Sequence, residues 1–277
     1  MNHLIPATAV DRYSAAPSVS KVAQAKSLHE SIRDTLGDGY VTFLQGSYRN
    51  DTGVADINDV DIVTIRKSTS SGIFSSLPST GKILWSQIFK EVQDKLEASP
   101  LYKGKTEQGD KCITVNTNFH ADVVPAVKIT KEDEDPIAVY SFREGSERKN
   151  FPRDHYENNV KKQDDTDGTY KATVRMFKRW ARNWFAGTKV APSFYIECLV
   201  HSIPDERFSY DKAVSFFMVG HHICHNVTRN SVVSSVAGDK DILVSSEWEP
   251  AKFEQFQRTL NTTLGMVATA LYPLQNR

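Results

Sequence analysis

The sequence predicts an α+β fold: a mixed sheet flanked by helices over residues 1–150, then a helical lobe over 151–277. Two patterns predict it. Up to Pro152, short apolar runs bounded by turn residues alternate with amphipathic stretches, whereas beyond it apolar residues recur almost only at helical spacing. A third observation locates the chemistry within the first part. Asp59 and Asp61 lead directly into the run Ile62-Val63-Thr64-Ile65, and Asp122 lies inside Phe119-His120-Ala121-Asp122-Val123-Val124.

Ser18 to Leu36 reads as a helix, with Val22, Ala25, Leu28, Ile32 and Leu36 at helical spacing and Gly37 as its stop. Val41-Thr42-Phe43-Leu44 and Ile62–Ile65 read as strands, with Gly46-Ser47 between them and Gly46 permitting a tight turn. Residues 66–81 are rich in Ser, Thr, Gly and Pro and read as a loop. A second helix is expected over Lys82–Ala98, burying Ile83, Leu84, Ile88, Val92 and Leu96. Strands follow at Cys112–Thr117, Phe119–Ile129 and Ile137–Phe142, and the acidic run Lys131–Asp135 reads as a solvated hairpin end. In the second part, 153–163, 168–186, 192–203, 209–226 and 249–272 each read as one helix. Pro192 is expected in the first turn of its helix, where a missing N–H does no harm. Two such lobes imply a cleft, the usual place for a small-molecule site.

At 277 residues the chain can bury a sizeable core as one large domain or two small lobes. Its 34 basic and 34 acidic residues balance, so a permanent nucleic-acid partner is not expected. No apolar run approaches bilayer length, and Met1-Asn2-His3-Leu4-Ile5-Pro6 lacks the features of a signal peptide. Cys112, Cys198 and Cys224 are odd in number and far apart, as expected for a reduced cytoplasmic protein.

Aspartates at i and i+2 of a strand face the same side of the sheet. Repulsion between carboxylates so close together is offset well by a hard divalent cation. Asp122 completes the cage if its strand neighbours that of Asp59 and Asp61. An all-oxygen donor set suits Mg²⁺ or Mn²⁺, with nucleotide phosphates filling the open positions. Gly46 would let backbone N–H groups and the Ser47 hydroxyl come close to a phosphate. His120 is expected on the opposite side of its strand from Asp122 and so away from the chemistry.

The series Leu44-Gln45-Gly46-Ser47, Asp59-Val60-Asp61 and Asp122 resembles the nucleotidyltransferases of the DNA polymerase beta superfamily. On the helix over 168–186, Lys171, Arg175, Lys178 and Arg182 share one stripe, and Val174, Phe177, Ala181 and Trp184 another face. An isolated stripe of this kind would be an ordinary solvated face. Here Val174-Arg175-Met176-Phe177-Lys178-Arg179-Trp180 resembles the helix by which template-independent nucleotidyltransferases send a lysine to the incoming triphosphate, and Lys178 is the residue that matches. Pro192-Ser193-Phe194-Tyr195-Ile196-Glu197-Cys198-Leu199 resembles a second motif of the same enzymes, which implies that Ser193 holds the outer phosphates. Glu197 is expected to pair with a base inside the helical lobe. With Gly46-Ser47-Tyr48-Arg49, Ala121-Asp122-Val123-Val124-Pro125-Ala126 and Pro152-x-x-His155 in order, the chain resembles the bacterial CD-NTases, relatives of cyclic GMP-AMP synthase and oligoadenylate synthase.

That resemblance implies a polymerase-beta-like nucleotidyltransferase lobe and a metal-dependent enzyme with two Mg²⁺ or Mn²⁺ ions. Asp59 and Asp61 would hold the donor metal and Asp122 would help hold the second. Gly46, Ser47, Lys178 and Ser193 would bind the nucleotide. Ribonucleoside triphosphates, ATP and/or GTP or others, would be joined into a cyclic di- or trinucleotide with loss of pyrophosphate, for bacterial anti-phage signalling through a product-activated effector protein, with a regulatory partner possible. Transfer to RNA, a protein or a small molecule, or into a linear oligonucleotide, is the enzymatic alternative; a non-catalytic nucleotide sensor or antitoxin-like binding protein is the alternative of another class. No cysteine-rich insertion like the animal enzyme's zinc thumb is present. His221, Cys224 and His225 cluster on one helix, but without a second ligand pair of zinc spacing they are expected to be ordinary helix residues.

Overall fold

The computed structural model describes residues 9–67, 85–129, 135–244 and 246–271. The expected loop beyond Lys67, residues 82–84 of the next helix and residues 131–134 of the acidic run lie outside the described residues. Two compact units are present. Of the described residues, those within 17–50 and 56–153 form the sheet unit, and those within 154–271, together with 9–16 and 51–55, form the helical unit. The chain break therefore lies at Arg153/Asp154, and two short earlier segments go with the helices. The physical reason is burial: Ala9 and Tyr13 are part of the helical core, and Thr52, Gly53 and Val54 are buried.

In the sheet unit, α2 (Val19–Leu36) starts at Ser18, whose hydroxyl accepts from Lys21 N–H at 3.3 Å. It ends at Gly37, which adopts φ +77° and donates its N–H to Arg33 C=O. The strands are β1 (Tyr40–Gln45), β2 (Asp59–Arg66), β3 (Thr106–Gln108), β4 (Ile113–Val115), β5 (His120–Lys128), β6 (Ile137–Ser141) and β7 (Ser146–Asn150). Their order is β1-β2-β5-β4-β3, with β6 on β5 and β7 on β6. Among the described residues only β2 and β5 run parallel. β5 pairs β4 through Ala121–Val123 and β6 through Ala126–Lys128. Pro125 falls in the gap between these pairings, where a missing N–H costs no ladder bond to either.

The sequence pattern did not reveal β3 and β7. Thr-Glu-Gln and Ser-Glu-Arg-Lys-Asn carry no apolar alternation, and both become strands by pairing at an edge with the apolar β4 and β6. Helices α2 and α4 (Trp85–Ala98) cover one face of the sheet. There Ala25, Ile32, Leu36, Phe89, Val92 and Leu96 bury against Val60, Ile62, Ala121 and Val123. Each large side chain so buried contributes about 1.5–3 kcal/mol. The opposite face carries a smaller cluster of Val63, Ile65, Ala126, Ile137 and Val139. Asp59 and Asp61 have the same parity as Val63 and Ile65, so they lie on this face, away from α2 and α4.

The helical unit contains α1 (Val10–Ser14), α5 (Pro152–Asp165, shared at its start with the other unit), α6 (Tyr170–Trp184), α7 (Ser193–His201), α8 (Lys212–Asn226) and α9 (Pro250–Leu271). Central to it, α6 buries Tyr170, Val174, Met176, Phe177, Trp180 and Ala181. Phe177 stacks on Phe216 of α8 at 4.4 Å, and the Trp180 indole N–H donates to Thr263 of α9. Pro192 occupies the N-cap of α7 rather than its first turn. Among the described residues no helix is long and apolar enough to cross a membrane.

Candidate active site

The register of β2 and β5 brings the three aspartates together. Asp61 lies directly opposite Asp122, and Asp59 opposite His120, on adjacent parallel strands whose ordinary spacing is about 4.8 Å. Side chains opposite each other share a face, so Asp59, Asp61 and Asp122 stand on one side of the sheet. The same argument corrects the expectation for His120. Residues 120 and 122 are two apart and therefore point the same way, so His120 stands beside Asp59 on the carboxylate face. Its Nδ1 is buried without a hydrogen-bond partner.

Behind the carboxylates, β1 ends with Gln45 opposite Asp61, and the chain enters a single helical turn, α3 (Gly46–Arg49). Gly46 has φ +66°, and a Cβ placed there would stand 2.2 Å from Asp61 Oδ2. Only glycine fits so close to that carboxylate. Tyr48 packs edge-on against Phe119; burial, then the Asp59 charge, push its phenol up to about 12. Asp122 is fixed from the other edge, where Thr114, its register partner on β4, donates to Oδ1 at 2.8 Å. Nearby Cys112 is pushed up to about 12, first by burial and then by the charge of Asp122, so its thiol stays protonated. Sequence reading missed Thr114, Tyr48 and Cys112, because only strand pairing and the turn geometry bring them to the aspartates.

Chemically, three carboxylates fit a hard divalent cation and no soft one. Backbone register puts them side by side, and the Gly46 turn leaves Asp61 room. Among the described residues, no three His, Cys, Asp or Glu side chains are gathered closely enough to form a finished metal cage. What aligns the three carboxylates is the backbone register of β2 and β5.

Within the helical unit, three of the four basic residues of the α6 stripe are drawn into protein contacts. Lys178 is 8% exposed, and its ammonium reaches Glu197 Oε2 at 2.5 Å, Thr52 Oγ1 at 3.0 Å and Thr52 C=O at 3.4 Å. Arg175 donates to the backbone carbonyls of Ser14 and Asp51, each at 2.7 Å, and lies 3.6 Å from the Asp51 carboxylate. Lys171 is 4.0 Å from the same carboxylate, while Arg182 is exposed. Glu197 pairs with a base as expected, in fact with two, Lys178 and His155. Ser193 is exposed at the first position of α7, at the helix end that carries partial positive charge. His221 and His225 lie with ring centroids 4.3 Å apart and, as stated, belong to no three-ligand group among the described residues.

A sheet with Asp-Val-Asp on one strand, a third aspartate level with it on the parallel neighbour and a Gly-Ser turn behind them has the organisation of a nucleotidyltransferase. Residues 157–265 match the family model of the cGAS/DncV-like nucleotidyltransferase C-terminal helical domain. The chain is 31% identical over 236 residues to the cyclic UMP-AMP synthase of Rhodothermus marinus (strain SG0.5JP17-172), covering 74% of this chain and 78% of that protein. It is 30% identical over 200 residues to the cyclic dipurine nucleotide synthase of Elizabethkingia meningoseptica, covering 64% and 68%. The solved structure of Rhodothermus marinus CdnE c-UMP-AMP synthase with Apcpp and Upnpp superposes with a TM-score of 0.74 at 26% identity, over 94% of this chain and 97% of that one. The chain belongs to the cGAS/DncV-like nucleotidyltransferases, the CD-NTases, and is an enzyme of that class. The family is one that typically needs a divalent metal.

Proposed function

We propose that this protein condenses ribonucleoside triphosphates into a cyclic di- or trinucleotide with release of pyrophosphate. The observation that carries the reading is the pairing of Asp61 with Asp122 beside the Gly46 turn, in a chain whose relatives are named as cyclic nucleotide synthases. Asp59 and Asp61 would hold the metal of the donor triphosphate, and Asp122, steadied by Thr114, would help hold a second. Bound Mg²⁺ or Mn²⁺ supplies neutralisation of the phosphate charge and acidification of the acceptor hydroxyl. Gly46 and Ser47 offer a close backbone approach and a hydroxyl to the donor phosphates. In the helical unit, Lys178 and Ser193 are the phosphate ligands. Lys178 meets a phosphate by giving up one of its present partners.

The relatives named above have nearly equal identity to this chain but are named for different bases. Base choice is therefore carried by side chains that vary within the family, and ATP or GTP remain the substrates we propose here. In this reading the product leaves to activate a separate effector protein in anti-phage signalling, inside the bacterial cytoplasm. The test is purified protein with Mg²⁺ or Mn²⁺ and all four ribonucleotides, followed by phosphatase and mass spectrometry, with Asp61→Asn as control. A phosphatase-resistant product with the mass of a closed ring is expected. Only linear or phosphatase-sensitive products would instead identify an oligonucleotide or tailing enzyme.

A further inference from the structure

Lys178, Thr52, His155 and Asn159 all donate to the carboxylate of Glu197, which is 4% exposed. Lys178 Nζ and the Thr52 hydroxyl, at 2.5 and 2.7 Å, share Oε2; His155 Nε2 and Asn159 Nδ2, at 2.9 and 3.0 Å, share Oε1. Burial alone would raise the acid's pKa, but Lys178 and His155 more than offset this and hold it well below the usual carboxylate range. An ionised carboxylate only accepts, so His155 Nε2 carries its proton. The Asn159 amide is oriented in turn, because the buried Tyr170 hydroxyl donates to its Oδ1 at 2.7 Å. Among the groups this network holds in place is the Lys178 ammonium.

That ammonium has three hydrogens and meets three acceptors: Glu197, the Thr52 hydroxyl and the Thr52 carbonyl. The carbonyl contact, at 3.4 Å, is the longest and weakest. A phosphate oxygen taking over that hydrogen would leave Glu197 and the Thr52 hydroxyl in place. A buried ion pair is also poor evidence of stabilisation, since apolar packing of similar volume does as well or better. We propose that Glu197 and Thr52 are positioning residues for the transfer reaction. They set where the Lys178 ammonium stands when it meets a nucleotide phosphate. This rests on the reading of Lys178 as a phosphate ligand.

The test is a double-mutant cycle on the full chain with K178M, E197Q and K178M/E197Q, plus T52V and T52S. Pyrophosphate release gives kcat and the nucleotide KM, and melting temperature is read in parallel. Losing the charged partner that orients the ammonium should raise KM about tenfold or more in E197Q. A residue acting through Lys178 adds nothing once Lys178 is gone, so K178M/E197Q should match K178M in KM. Its melting temperature should recover above that of either single variant, because both buried charges leave together. T52V should raise KM, and T52S, which keeps the hydroxyl, should restore it. If E197Q does not fold, E197D serves: its shorter arm keeps the charge but displaces the ammonium, so KM must still rise. Additive effects on KM, a lower KM in E197Q, or a lowered melting temperature with kinetics unchanged would each overturn the proposal. A wild-type KM in K178M would overturn it too, and would place the failure in the phosphate reading of Lys178.

Discussion

Replacing Gly46 by alanine separates backbone strain from the close approach that the candidate site requires. A side chain at φ +66° costs roughly 1–2 kcal/mol by itself. The added Cβ would also stand 2.2 Å from Asp61 Oδ2 and 3.1 Å from Asp61 Cγ. To restore ordinary contact the carboxylate must retreat by roughly 1 Å, and a displacement of that size at a reacting centre can cost about 100-fold in rate. Gly104→Ala is the matched control, with φ +72° but nothing within 4 Å of its Cβ. Both variants should lose similar stability in urea melts, and only Gly46→Ala should lose kcat in a pyrophosphate-release assay. Equal kcat in the two variants, within about threefold, would refute the idea that Gly46 serves Asp61.

Asp59→Asn and Asp61→Asn should each abolish transfer and leave the melting temperature near wild type, since both carboxylates lie outside the apolar clusters; retained turnover in either would sink the site assignment. Thr114→Val removes the 2.8 Å hydrogen bond to Asp122 and should lower kcat/KM roughly tenfold, and an unchanged value would mean that Asp122 needs no steadying. His201 offers a pH test. Burial, then the Lys162 charge, lower its pKa to about 4 from an ordinary 6.5, so the fold prefers the neutral ring. Its contribution is present above about pH 6.5 and is lost as pH falls toward 4, on the order of 2–3 kcal/mol between pH 7 and 4.5. His201→Gln should flatten the urea stability profile over that window by that amount, and an unchanged slope would show that the ring is not desolvated.

The sequence by itself determined what could be read from short-range pattern. Ser18 and Gly37 marked the ends of α2 through capping chemistry confined to a few residues. The helical spacing of Val174, Phe177 and Ala181 marked the buried face of α6. The strand parity of Asp59 and Asp61 put them on one face, because pleat alternation is a property of the chain alone. The same rule, applied with care to residues 120 and 122, would also have put His120 on that face.

Only the tertiary structure decided what depends on which strands and helices become neighbours. That Asp122 stands level with Asp61, and that Thr114 reaches Asp122, follows from β5 pairing with β2 on one edge and β4 on the other, a register no local pattern encodes. The charged strand β7 exists because apolar β6 offers it an edge. The basic stripe of α6 shows the limit most plainly. Its spacing in sequence is equally compatible with solvent, phosphate or protein partners. What the structure decided is that Lys171 and Arg175 face Asp51, while Lys178 meets Thr52 and Glu197. A cation's partners are set by whichever long-range contacts best offset its desolvation, and those acceptors lie far away along the chain.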